Sequence, residues 1–166
     1  MVGRTVADPM CADEVYMAMA LDEARAAAEM GETPIGAVVV CEGAVVARAH
    51  NRRETDRDPL AHAEMLAIRE AATKLARWRL SDCTVYVTLE PCPMCAGAMH
   101  ASRIGRLVYG AADPKAGAVG TLYDLSSDER LNHRFSVTNG VGAEESSALL
   151  KAFFAGLRAR DKGERS

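Results

Sequence analysis

A chain of 166 residues, 49% hydrophobic and 26% charged, is long enough to bury one sizeable core and reads as one domain over 1–166. Its formal charge of −3 and pI near 5.8 lack the basic excess of a chain that grips nucleic acid by charge alone. No apolar run reaches the ~18 residues of a membrane span and no secretory h-region precedes Met10, so a membrane protein is not expected and the cytoplasm is the default location.

Residues 1–12 carry no pattern and read as a loose arm. Asp13 and Glu14 then sit where acids favour a helix start, and Met17, Ala20, Leu21, Ala24 and Ala28 recur at helical spacing up to Gly31. Glu32-Thr33-Pro34 ends that helix. The valine-rich run Ile35 to Cys41, the turn Glu42-Gly43 and Ala44 to Ala49 predict a hairpin, with Asn51 just beyond it. Arg52 to Pro59 mixes three arginines with three acids and reads as a solvated loop.

A helix is predicted from His62 to Ala76, with Met65, Leu66, Ile68 and Ala72 on its apolar side, and Pro59 argues against an earlier start. Thr84 to Leu89 predicts a strand, Cys92 to Ala101 a helix, and Arg106 to Gly110 another strand. The glycine-rich Ala111 to Gly120 lacks a Gly-Lys-Ser/Thr ending, which excludes a P-loop. Thr121 to His133 is polar and irregular, Phe135 to Thr138 predicts a fifth strand, and Ala143 to Ala159 a final helix bearing Leu149, Leu150, Phe153, Phe154 and Leu157. Residues 161–166 read as a flexible end, and the local excess of bases beyond Ala148 suits either a helix C-terminus or an RNA contact. This order describes an α/β fold, a three-layer α/β/α sandwich with one sheet covered on both faces.

Two short motifs carry the chemistry: His62-Ala63-Glu64 and Pro91-Cys92-Pro93-Met94-Cys95. One imidazole, two thiols at i and i+3 and a carboxylate are the parts of a catalytic zinc site with an open fourth position. Glu64 is left over as a proton carrier, which a closed structural knot would not need. Cys-x-x-Cys after a strand also suits a thioredoxin-like redox pair, and His-x-Glu alone means little. The combination favours a zinc hydrolase. Cys11, Cys41 and Cys83 read as structural or incidental thiols, and five cysteines without a regular framework do not suggest a disulfide scaffold.

His-x-Glu with Pro-Cys-x-x-Cys is the known signature of zinc deaminases. Around it the chain also carries Pro34-Ile35-Gly36-Ala37-Val38, Asn51, Asp58-Pro59-Leu60-Ala61, Thr88-Leu89-Glu90, Ala96-Gly97-Ala98-Met99, Ser102-Arg103-Ile104, Asn132-His133-Arg134 and Leu149-Leu150-Lys151-Ala152-Phe153-Phe154. From about Asp13 to Arg160 it therefore resembles bacterial tRNA-specific adenosine deaminases, within the cytidine deaminase-like superfamily. The resemblance implies a central five-stranded mixed sheet, a homodimer, and hydrolytic conversion of adenosine to inosine at wobble position 34 of a tRNA anticodon stem-loop. It implies one Zn²⁺ per subunit on His62, Cys92 and Cys95, with Glu64 shuttling protons. Asn51 would contact the target nucleoside, the Ala63 backbone would lie near the purine, Asp113 beside the RNA backbone and Phe154 near the anticodon loop. Ala111-Ala112-Asp113-Pro114 departs from relatives, which often carry a basic residue and an alanine there. Two rivals are a zinc deaminase of a free nucleobase or nucleoside, of guanine or cytosine type, and a non-enzymatic zinc-dependent RNA-binding module.

Overall fold

The computed structural model describes residues 9–165. Its elements in chain order are α1 (Pro9–Glu29), β1 (Gly36–Cys41), β2 (Ala44–His50), α2 (Ala63–Leu75), β3 (Cys83–Leu89), α3 (Pro93–Ala101), β4 (Arg106–Ala111), β5 (Ser136–Thr138) and α4 (Ala143–Glu164). The five strands form one sheet in the order β2-β1-β3-β4-β5. β1 is antiparallel to β2 and β3, whereas β3, β4 and β5 are mutually parallel neighbours. The sheet is thus mixed and five-stranded, with helices on both faces, as expected.

Alternation along each strand assigns the two faces. Ala37, Val39 and Cys41 of β1, Cys83, Val85 and Val87 of β3 and Leu107 and Tyr109 of β4 pack beneath α2 and α3. Val38, Val40, Tyr86 and Val108 point the other way, onto Met17, Ala20 and Leu21 of α1 and Leu149 of α4. Buried on both faces, β1 reads as an unbroken valine run rather than an alternating one. The hairpin closes through Glu42 and Gly43, both at positive φ (51° and 77°), the two-residue turn whose twist matches the strands it joins. Gly36 marks the closest approach of helix to sheet: a Cβ there would overlap the Ala20 carbonyl oxygen and stand 2.6 Å from the Ala24 nitrogen.

Three expectations are corrected. Residues 9–12 are helical, not part of a loose arm, because Pro9 is tolerated at a first helical position where no N–H is needed; residues 1–8 lie outside the described residues. α4 runs on through Asp161 to Glu164 instead of stopping near Ala159, since no proline intervenes and Gly163 falls only in the last turn. Asp13 does not serve the helix start. It lies beyond the first turn, 4% exposed, where its carboxylate accepts from Tyr86 Oη (2.8 Å) and from both Arg106 terminal nitrogens (2.8 and 2.6 Å). Arg106 also donates to Thr138 Oγ1 at 2.9 Å, so this network ties α1 to three strands. Burial pushes the Asp13 carboxyl up, but the bonds from Arg106 and Tyr86 outweigh it and leave it below the ordinary range.

Candidate active site

The parallel strands β3 and β4 end on the same side of the sheet as the start of β1 and the end of β2, so the segments carrying Asn51, His62, Cys92 and Asp113 leave the sheet there. Ligand sites of open α/β sheets gather at such ends. His62 is the N-cap of α2 (φ −74°, ψ 149°) and Cys92 that of α3 (φ −72°, ψ 173°), and neither side chain caps its own helix. Pro93 at the first position of α3 removes one N–H that would otherwise compete for Cys92. Cys95, one turn on, shares the face of Cys92 and is fully buried.

The three side chains converge. His62 Nδ1 lies 3.7 Å from Cys92 Sγ and 3.5 Å from Cys95 Sγ, and the three donor atoms lie within 4.8 Å of one another. A Zn–N bond of ~2.0–2.1 Å and a Zn–S bond of ~2.3 Å at a tetrahedral angle set their donors about 3.6 Å apart. The observed spacings match that edge, so this donor set fits a zinc ion without rearrangement.

Glu64, in the first turn of α2 and 4% exposed, has Oε2 3.4 Å from Cys95 Sγ. Burial is the main cause that raises its carboxyl above the ordinary range, which suits a group that must accept and return protons near neutrality. The thiols split in opposite directions. Hydrogen bonding from Cys95, assisted by His62, pulls Cys92 down to about 4, whereas the same bond and burial push Cys95 up. His62 is raised, chiefly by Cys92. Coordination to a metal would require both sulfurs as thiolates.

Next to this cluster opens a cavity of about 110 Å³ lined by Thr33, Ile35, Asn51, Arg53, His62, Ala63 and Glu64. It is well under the ~300 Å³ at which clefts for drug-sized ligands begin, and it suits one flat heterocycle with its sugar outside. Asn51, 7% exposed, turns its Oδ1 to the Arg53 N–H at 3.2 Å, and its own N–H donates to Ile35 O at 3.1 Å. Asp113 and Phe154 do not line the cavity. Asp113 sits in the turn after β4, with its Oδ1 accepting from the Lys115 N–H. Phe154, 43% exposed on α4, borders a separate groove with Lys115, Leu150, Lys151 and Arg158.

Sequence reasoning missed the residues that hold the rims. Glu32, 1% exposed, accepts from the N–H and the hydroxyl of Thr55 (2.6 and 2.8 Å) and so fixes the loop after Asn51. Glu90, 2% exposed, accepts from the N–H groups of Asp113, Val119 and Thr121 (3.2, 3.3 and 3.1 Å) and from the Thr121 hydroxyl. Arg53, read as part of a solvated loop, borders the cavity. Its place two residues after Asn51 was the available signal.

The MafB19-like deaminase family matches residues 11–158. A tRNA-specific adenosine deaminase of Bacillus subtilis (strain 168) is 54% identical over 156 residues, covering 94% of this chain and 97% of that protein. A structure from a study of A-to-I editing by tRNA:A34 deaminases at the wobble position of transfer RNA is 46% identical, with a TM-score of 0.79, covering 82% of this chain and 99% of that one. A guanine deaminase from Nitrosomonas europaea is 28% identical with a TM-score of 0.74, covering 92% and 87%.

Proposed function

The chain belongs to the tRNA-specific adenosine deaminases, and from that premise we infer that it converts adenosine to inosine at the wobble position, 34, of a tRNA anticodon. The observation that carries the chemistry is the meeting of His62, Cys92, Cys95 and Glu64 beside a cavity sized for one base. His62, Cys92 and Cys95 would hold one Zn²⁺ per subunit. Bound there, zinc supplies the Lewis acidity that makes water a nucleophile near neutral pH.

Glu64 takes a proton from the attacking water and passes it to N1 of the purine ring, then takes the second proton from the hydroxyl now on C6 and gives it to the amino group, which departs as ammonia while C6 becomes a carbonyl. Its burial keeps competing water off the carboxyl group. Asn51, whose amide both donates and accepts, orients the base, with the Ala63 backbone along the ring edge. A stacked adenine could not enter so small a cavity, which favours an anticodon-loop nucleotide that can be splayed out. Asp113 would flank the RNA backbone beside the flipped base. The groove of Phe154 with Lys115, Lys151 and Arg158 combines an aromatic face with three bases, a chemistry suited to the rest of the anticodon loop.

A homodimer and a cytoplasmic location belong to the same reading. Exposed Leu122 (52%) and Tyr123 (60%) offer apolar surface that a second copy would cover, and no helix among the described residues is long and apolar enough to cross a membrane. The test is to incubate the purified protein with an anticodon stem-loop bearing A34 and, separately, with guanine, cytosine and their nucleosides. Inosine in the stem-loop, read as guanosine on sequencing, is expected. Turnover confined to free bases or nucleosides would reassign the substrate, and a zinc-loaded protein without any deamination would leave an RNA-binding module.

A further inference from the structure

Cys41 and Cys83 have no part in the deamination chemistry, yet they meet in a second cluster. Cys41 ends β1, Cys83 opens β3, and the two are partners across the antiparallel ladder. The Cys83 N–H donates to Leu80 O (2.9 Å) and its carbonyl accepts from the Gly105 N–H (3.1 Å). Neither backbone group therefore faces β1, and the pair is of the non-hydrogen-bonded kind, whose Cα atoms lie about 4.5 Å apart with their side chains close. Both thiols are buried in the core beneath α2 and α3. Asp82 bends its carboxylate over them, with Oδ2 3.5 Å from Cys41 Sγ and Oδ1 3.7 Å from Cys83 Sγ. Among the described residues, only this trio and His62-Cys92-Cys95 bring three ligand atoms within 4.8 Å of one another.

We propose that Cys41, Asp82 and Cys83 form a second metal site, for a soft divalent cation of the zinc class. A Zn–S bond of ~2.3 Å and a Zn–O bond of ~2.1 Å at a tetrahedral angle set sulfur and oxygen about 3.6 Å apart; each thiol has its own carboxylate oxygen near that spacing, Oδ2 at 3.5 Å from Cys41 and Oδ1 at 3.7 Å from Cys83, and one ligand atom from each of the three residues falls within 4.8 Å of the others. Two sulfurs select against calcium and magnesium, which prefer oxygen. Charge supports the assignment. Two thiolates, one carboxylate and a divalent ion leave one negative charge, and the Arg77 guanidinium stands ready to offset it, 2.7 and 2.9 Å from Asp82 and 3.6 Å from Cys41 Sγ. Binding breaks two S–H bonds, forms two S–metal bonds and releases two protons to water, with no electron transferred.

The site is distinct from the deaminase centre. β3 runs from Cys83 at one end to Leu89 at the other, about 20 Å at the rise of an extended strand, and Cys92 lies beyond Leu89. An ion here clasps β1, β3 and the connector after α2, and the partly exposed Asp82 leaves it a route from solvent. A disulfide between the same sulfurs would need neither the carboxylate nor the guanidinium that converge on them, which favours metal.

The test uses the full-length protein with one equivalent of zinc already bound, kept reduced and titrated with Co²⁺. A second equivalent should bind with thiolate-to-cobalt charge-transfer absorption and a tetrahedral visible band. Cys83→Ser should abolish it, and Asp82→Asn, at the protein surface and harmless to the core, should weaken it at least tenfold. The first zinc equivalent should remain in both variants. A reduced wild type that takes no second equivalent, or a second equivalent indifferent to Asp82→Asn, overturns the proposal. So does loss of two thiols to oxidised glutathione without any cobalt uptake, which would make the pair a redox couple.

Discussion

Replacing Glu90 by alanine should release one rim of the active site. Its two oxygens serve four donors, the N–H groups of Asp113, Val119 and Thr121 and the Thr121 hydroxyl. Val119 is 5% exposed, so its N–H would be stranded at a cost of about 1–3 kcal/mol, while the other three donors can rehydrate and forfeit roughly 1 kcal/mol each. If the loop kept its place the penalty would be about 4–6 kcal/mol. Detaching residues 112–121 is cheaper, because most of them already lie at or near the surface. The expected result is a loss of about 2–4 kcal/mol in urea unfolding. Amide exchange should be faster over 111–121, and KM for the stem-loop should rise more than kcat falls. Gly117 reports on the same contact, since a Cβ there would overlap the Glu90 carboxyl group. A Glu90→Ala protein within 1 kcal/mol of wild type, with unchanged exchange in this loop, would refute the anchoring role.

Glu64→Gln keeps the volume and removes the proton carrier, so kcat should fall by about 10²–10⁴ while zinc by metal analysis stays near one equivalent; wild-type turnover would end the assignment. Asp13 is held below its unfolded value, so its stabilising contribution is present above pH ~4 and is lost as pH falls through the lower folded value. Acid unfolding of Asp13→Asn should accordingly be shallower below pH ~4 than that of wild type, and superimposable profiles would argue against it. Gly36→Ala forces a methyl group onto the backbone of α1 and should cost ~3 kcal/mol or more, a fall of roughly 10 °C in Tm by calorimetry; an unchanged Tm would mean that α1 can slide.

What could be read in advance was local. The valines of β1 and β3, the Glu42-Gly43 turn and the spacing of Cys92 and Cys95 each declare themselves within a few residues, and all fell where expected to within a residue or two. Asp13 misled because a helix-start acid and an acid aimed at Arg106, 93 residues away, look alike until the sheet is assembled. Glu32 and Glu90 were invisible for the same reason. A buried acid is recognised by the loop it holds, and those partners lie 23 to 31 residues further on. Thr33, Ile35 and Arg53 border the cavity only because the hairpin returns them to His62. Cys41 and Cys83 looked incidental for want of the register that sets them opposite each other.

The placement of the site within the chain bears on how the protein is made. β2, β1, β3 and β4 are neighbours in the sheet and come from one continuous stretch ending at Ala111, which also contains α1, α2 and α3. His62, Cys92 and Cys95, the proposed zinc ligands, all belong to that stretch. β5 and α4 follow it in the chain and are made seconds later at about 5–20 residues per second. On the proposed assignment the ligands are therefore made before β5 and α4, and metal binding would not need to await the elements that complete the opposite face.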